Sequence, residues 1–136
     1  MTPFPGLPVT VRSSHVDMFG HVSHMAYLEF MEWARFAWAE HVGAPIPRLM
    51  AEERMGPALL RVEVRYGREC LLGDDLLITV EPEFARRQLG RLSQRVLRGP
   101  DQEEVCRATM TFAMIDLDTR KVRELPPGFR GEYARG

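Results

Sequence analysis

Cysteine is scarce: the chain has two, Cys70 and Cys106. Their spacing fits no zinc pattern and makes no disulfide framework, so both read as reduced core residues of a cytosolic protein. An excess of charge of one sign is also lacking. Eighteen Lys and Arg stand against nineteen Asp and Glu, a net charge of -1. That leaves no global field for nucleic acid or an anionic membrane. The first residues hold neither a basic stretch nor a long apolar run, so no secretory signal is expected. There is no internal repeat, and no Gly-x-Ser-x-Gly turn to carry a serine nucleophile. What is present is ordinary: 136 residues, 45% apolar and 27% charged. This composition reads as a single globular domain over 1–136, with a core of about 7–127.

Periodicity divides the chain. Leu7, Val9 and Val11 alternate as a first strand. Residues 12–24 have no period and read as a long loop, which in a compact domain is often functional. Met25–Val42 is apolar over most of its circumference. Glu29, Glu32, Arg35 and Glu40 gather on one arc. Such a helix is buried on several sides, and its charges exclude a membrane span. Ser23 is placed to cap it, Gly43 and Pro45 to stop it. Glu32 and Arg35 are spaced for a surface ion pair.

A short helix within 46–56 is expected to end at Gly56. Beyond it the period is two. Leu60, Val62, Val64 and Tyr66 share one face, and Gly73-Asp74-Asp75 turns the chain. Further strands are expected from Leu76 to about Ala85, over 89–98, and over Val105–Asp116, then a short piece over 121–125. Pro126-Pro127-Gly128 closes the ordered domain and leaves a flexible C-terminal tail. Arg86, Arg87 and Arg91 read as a solvated strand edge rather than a phosphate site. Short turns require antiparallel neighbours, and one helix covers little sheet unless the sheet curls. The expected fold is α+β: a curved antiparallel sheet of about five strands wrapped on one long central helix. Apolar surface left over, near Trp33 and Phe36, predicts a second copy of the chain as partner.

Three of the four histidines, His15, His21 and His24, surround Asp17 in the loop. Three readings stand. A carboxylate before a helix tip suits acyl transfer, because free helix N–H groups stabilise an oxyanion while the carboxylate attacks or activates water. Four ligand-type side chains in ten residues suit a metal. Alternatively, the same residues only satisfy turns and caps. Gly20 permits a sharp bend.

The run Asp17-Met-Phe-Gly20-His21-Val22-Ser23-His24-Met-Ala-Tyr27-Leu28-Glu29-Phe30-Met31-Glu32-Trp33-Ala34-Arg35 resembles the signature of hotdog-fold acyl-CoA thioesterases. The branch it resembles contains 4-hydroxybenzoyl-CoA thioesterase and YbgC-like proteins. Val62-Glu-Val-Arg-Tyr66, Gly73-Asp74, Arg107-Ala108 and Leu125-Pro126 extend the likeness over about residues 7–127.

The resemblance implies hydrolysis of a small or medium acyl-CoA. Asp17 would be nucleophile or general base. His24 stands at the helix start, with its backbone N–H as oxyanion donor. Gly20, His21 and Tyr27 are the implied substrate-binding residues. No metal and no separate cofactor are implied, since coenzyme A is part of the substrate. A cytoplasmic homodimer or homotetramer is implied, with no nucleic-acid or membrane partner. The sequence departs from the family in two places: Ser23 replaces a commoner asparagine, and His15 stands where a second acid is common. The alternatives are a non-catalytic acyl-CoA-binding module and a hotdog hydratase or dehydratase. The Gly-Asp-x-Asn-Pro-x-His loop of the latter is absent.

Overall fold

The computed structural model describes residues 2–133. The last three positions of the expected loose tail lie outside the described residues. The elements run β1 (Leu7–Thr10), α1 (His24–His41), α2 (Ile46–Glu52), β2 (Met55–Tyr66), β3 (Asp75–Ile78), β4 (Glu81–Ala85), β5 (Gly90–Arg98), β6 (Glu103–Asp116), β7 (Val122–Arg123) and α3 (Pro127–Tyr133). A single 3-10 turn, Ser13–His15, interrupts the loop before α1. All strand pairs are antiparallel. The sheet's spine is β1-β3-β5-β6-β2, five strands as expected, with β4 added on β5 and β7 on β6.

The central helix follows from its ends and its stripe. Ser23 Oγ accepts from the Ala26 amide at 3.2 Å, so α1 starts at His24. Gly43, at φ +84°, takes the left-handed turn after its last residues. Phe30, Met31, Ala34 and Trp38 are buried along α1. Facing them, Cys106, Ala108, Met110, Phe112 and Met114 are buried along β6. Each large side chain removed from water there contributes about 1.5–3 kcal/mol.

Four details depart from the sequence reading. The strand expected over 76–85 breaks at Thr79–Val80 into β3 and β4, which both pair with β5. Gln94, on β5, is fully buried under that break. Its Nε2 donates to the carbonyls of Met31 (3.0 Å) and Thr79 (3.4 Å), and its Oε1 accepts from Arg35 Nη1 at 3.0 Å. It therefore ties the helix to the bend in the sheet. Secondly, Arg35 makes this hydrogen bond rather than an ion pair with Glu32.

Thirdly, β2 carries a bulge. Leu59 pairs with Phe112 and Arg61 with Thr111, leaving Leu60 as the extra residue. Cross-strand partners share a face. Leu59, not Leu60, therefore joins Val62, Val64 and Tyr66 on the inner face. Finally, the chain does not stop at Pro126-Pro127-Gly128. Pro127 opens α3, because proline starts a helix as readily as it ends one. Phe129 is buried against Trp38 and Phe112, with ring centroids 4.8 and 5.9 Å away. A Cβ on Gly128 would lie 2.2 Å from the Val42 carbonyl oxygen, so only glycine admits this approach.

Candidate active site

The loop before α1 is a tight hairpin built on Asp17. The Asp17 amide donates to the His21 carbonyl at 2.8 Å, and the Gly20 amide to the Asp17 carbonyl at 3.0 Å. Val16 pairs with Val22, one residue before the helix cap. Asp17 Oδ1 accepts from the amides of Phe19 (2.9 Å) and His21 (3.3 Å). Asp17 is exposed, and its Oδ2 makes no hydrogen bond among the described residues. Gly20 has φ +79° and open space around a hypothetical Cβ, so the backbone alone requires glycine there. The turn carries Met18 and Phe19 at its tip, 92% and 73% exposed.

The helix tip beside this hairpin has free donors. Ser23 takes the Ala26 amide. The His24 and Met25 amides have no acceptor among the described residues. Unpaired first-turn N–H groups carry the positive end of the helix dipole. The His24 carbonyl accepts from the Tyr66 hydroxyl at 3.0 Å, and the two rings meet edge to face at 6.3 Å. Tyr66 comes from the far end of β2, and no local sequence signal links it to the loop.

The four ligand-type residues hold separate posts. His15 Nδ1 accepts from the Arg12 amide at 3.0 Å, and its ring packs on Phe30 at 4.8 Å. His21 Nε2 lies 3.2 Å from Glu69 Oε2. His24 faces Tyr66, and Asp17 holds its own turn. Among the described residues no group of three His, Cys, Asp or Glu is placed to share a metal ion.

Tyr27 is buried and packs against Tyr66, with ring centroids 5.7 Å apart and the planes tilted by 58°. Burial raises its hydroxyl pKa far above the ordinary value, and a hydrogen bond with Cys70 adds to the rise. Burial also pushes up both thiols, that of Cys106 to about 12. Neither is a thiolate at neutral pH, so neither is a nucleophile. Arg87, in the loop between β4 and β5, pairs with Glu124, whereas Arg91, expected at a strand edge, lies on the interior strand β5, paired with both β4 and β6 and set over the Phe84 ring at 4.9 Å.

A cavity of about 390 Å³ lies at the other end of α1, between that helix, α2, β2 and α3. Phe36, Ala39, Ile46, Met50, Leu59 and Phe129 form half of its wall, Glu32 and Arg35 also border it, and neither Asp17 nor His24 reaches it.

A curled antiparallel sheet around one long helix, entered through the Asp17 hairpin, is the hotdog fold of thioesterases. The chain belongs to the thioesterase-like superfamily, whose family model matches residues 11–132, and it is an acyl-CoA thioesterase. It is 32% identical over 117 residues to the long-chain acyl-CoA thioesterase FadM of Escherichia coli K12, covering 86% of this chain and 87% of that protein. The crystal structure of the probable thioesterase YbaW from Escherichia coli superposes with a TM-score of 0.78 at 30% identity, over 93% of each chain. Slr0204, a 1,4-dihydroxy-2-naphthoyl-CoA thioesterase from Synechocystis, shares the fold at TM-score 0.85 and 16% identity, over 94% of this chain and 93% of that one.

Proposed function

We propose that Asp17 and the tip of α1 together carry out the hydrolysis. The single observation behind this reading is the pair of free amides, His24 and Met25, next to a hairpin that leaves one Asp17 oxygen unbonded. The thioester carbonyl oxygen sits against the two N–H groups. As the carbonyl carbon becomes tetrahedral, its oxygen becomes an oxyanion, and fixed donors at a dipole end hold that charge without reorganising. Asp17 either takes a proton from the attacking water or attacks the carbon itself. The C–S bond then breaks and coenzyme A leaves as a thiolate, which takes the proton held by Asp17 in the first case and one from solvent in the second. The acid is released directly in the first case, and after hydrolysis of an acyl-aspartate in the second. The His24 ring orients water or substrate at the same end. Gly20 and His21 flank the carboxylate and meet the incoming arm, while Tyr27 acts from beneath through its packing on Tyr66.

The working unit in this reading is a homodimer or a pair of dimers. Among the described residues β2 pairs only with β6, which leaves its other edge free. Leu59, Leu60 and Val62 are exposed along it. A free apolar edge is a template for another strand. Two buried free thiols fit a reducing compartment, so we assign the cytoplasm.

Asp17→Asn tests the mechanism. Asparagine keeps the Oδ1 acceptor for the Phe19 and His21 amides, so the hairpin stands while the charge is lost. Thiol release from acyl-CoA is expected to fall in kcat by about 10²–10⁴-fold with the fold unchanged. Wild-type rates in this variant would remove Asp17 from the reaction. Thermal stabilisation by acyl-CoA without thiol release would turn the reading to a binding module.

A further inference from the structure

Asp17 is held by its own hairpin, but the place of that hairpin against α1 is set two residues earlier. The chain leaves β1 already fixed. The Val11 amide donates to the Asp74 carbonyl at 2.9 Å, and the Val11 carbonyl accepts from the Gly73 amide at 2.9 Å. The 3-10 turn Ser13–His15 follows, and two reciprocal bonds close it. The His15 amide donates to the Arg12 carbonyl at 2.9 Å, and the Arg12 amide donates back to His15 Nδ1 at 3.0 Å. In such a capping box the acceptor at the third position is ordinarily a glutamate or glutamine. Here it is an imidazole. A ring that accepts at Nδ1 is neutral, with its proton on Nε2.

His15 also reaches the helix twice. Its carbonyl accepts from the amide of Ser23, the cap of α1, at 2.9 Å. Its ring meets Phe30 and Trp33 of α1 edge to face, with centroids 4.8 and 6.1 Å away. Val16 then pairs with Val22 at the base of the hairpin, and Asp17 follows. One residue thus ties the turn, the helix cap and the helix side together. Asp17 is the only acidic residue within 12–24, so a neutral acceptor closes the turn without a second negative charge in the loop.

We infer that His15 is a positioning residue for the hydrolysis: its Nδ1 locks the turn that sets the Asp17 carboxylate against the free amides of α1. The inference rests on the Asp17 reading above. Attack on a carbonyl needs the reacting atoms about 3–3.5 Å apart, and a misplacement of about 1 Å costs up to roughly 10²-fold in rate. A turn that opens lets Asp17 drift from the amides without removing a contact to substrate. The loss therefore falls on kcat and not on KM.

The test is thiol release from acyl-CoA by His15→Gln and His15→Phe, each also made in an Asp17→Asn background. Glutamine keeps an acceptor for the Arg12 amide and gives up the ring. Phenylalanine keeps a ring for Phe30 and Trp33 and gives up the acceptor. His15→Gln is expected to keep kcat within about threefold of wild type, and His15→Phe to lose at least about tenfold with KM within about twofold. His15→Leu, which also lacks an acceptor, carries the same expectation if His15→Phe folds poorly. In the Asp17→Asn background the loss from His15→Phe should shrink to less than about twofold, because a residue that acts through Asp17 has nothing left to position. A wild-type kcat in His15→Phe, or a loss in His15→Gln as large as that in His15→Phe, overturns the inference. So does an undiminished loss in the Asp17→Asn background, which would mark general damage to the fold. A slow Asp17→Asn beside a fast His15→Phe sinks this inference alone, whereas a fast Asp17→Asn sinks the Asp17 reading and this inference with it.

Discussion

Tyr66 is expected to act on the proposed site through a peptide. Its hydroxyl bonds the His24 carbonyl, and that carbonyl shares a peptide unit with the Met25 amide. A hydrogen bond to one end of a peptide polarises the other end and fixes its plane. Burial raises the Tyr66 pKa, so the hydroxyl keeps its proton, and remains a donor, at neutral pH. Tyr66→Phe removes a bond with a net value of about 1 kcal/mol, so kcat should fall by roughly fivefold with KM nearly unchanged. Steady-state kinetics on one acyl-CoA reads both constants, and a wild-type kcat would deny Tyr66 this positioning role. The residue scale also divides what was legible. Ser23 capping Ala26 and Asp17 accepting from Phe19 and His21 span at most four positions, and such local bonds are written in residue type and spacing. Tyr66 lies 42 positions from His24, and nothing local marks it.

At the scale of elements, α3 covers the core and lends Phe129 to the cavity wall. Phe129 reaches Trp38 and Phe112 only because Gly128 lets the helix come against the Val42 carbonyl. Gly128→Ala forces those backbones apart, at the cost of about 1–3 kcal/mol typical of overpacking. The urea midpoint should fall and tryptophan fluorescence should change, since Trp38 loses its ring partner. A midpoint equal to wild type would mean that α3 docks without this approach. The sequence marks the Pro-Pro-Gly run as an end because the same residues start and stop helices. What selects between the two is a contact with Val42, far back in the chain. The β2 bulge has the same origin. A period-two pattern places Leu60 inward, and only pairing with β6 reveals the extra residue.

At the scale of the whole molecule, exposed apolar residues include Met18 and Phe19 at the hairpin tip, Trp33 and Phe36 on α1, and Leu59, Leu60 and Val62 on β2. The free edge of β2 carries the working unit proposed above. Sedimentation at micromolar concentration should give a dimer or tetramer. Leu60→Asp, on the strand edge, should shift it toward monomer and lower the specific activity on dilution. A wild-type protein that sediments as a fully active monomer would exclude a shared site.

By itself the sequence determined the fold class, from an apolar rod and strands short-linked enough to be antiparallel, while the thioesterase class came from the resemblance of the run Asp17 to Arg35 to a known signature. Those signals are periodic or local, so each can be read within a few residues. Only the tertiary structure decided that the sheet breaks over Gln94, that Tyr66 grips the helix tip, and that α3 packs Phe129 against Trp38. Each of these is a distance between segments remote in the chain. It is set by a bulge, a break and a close approach, and no window of sequence contains both partners.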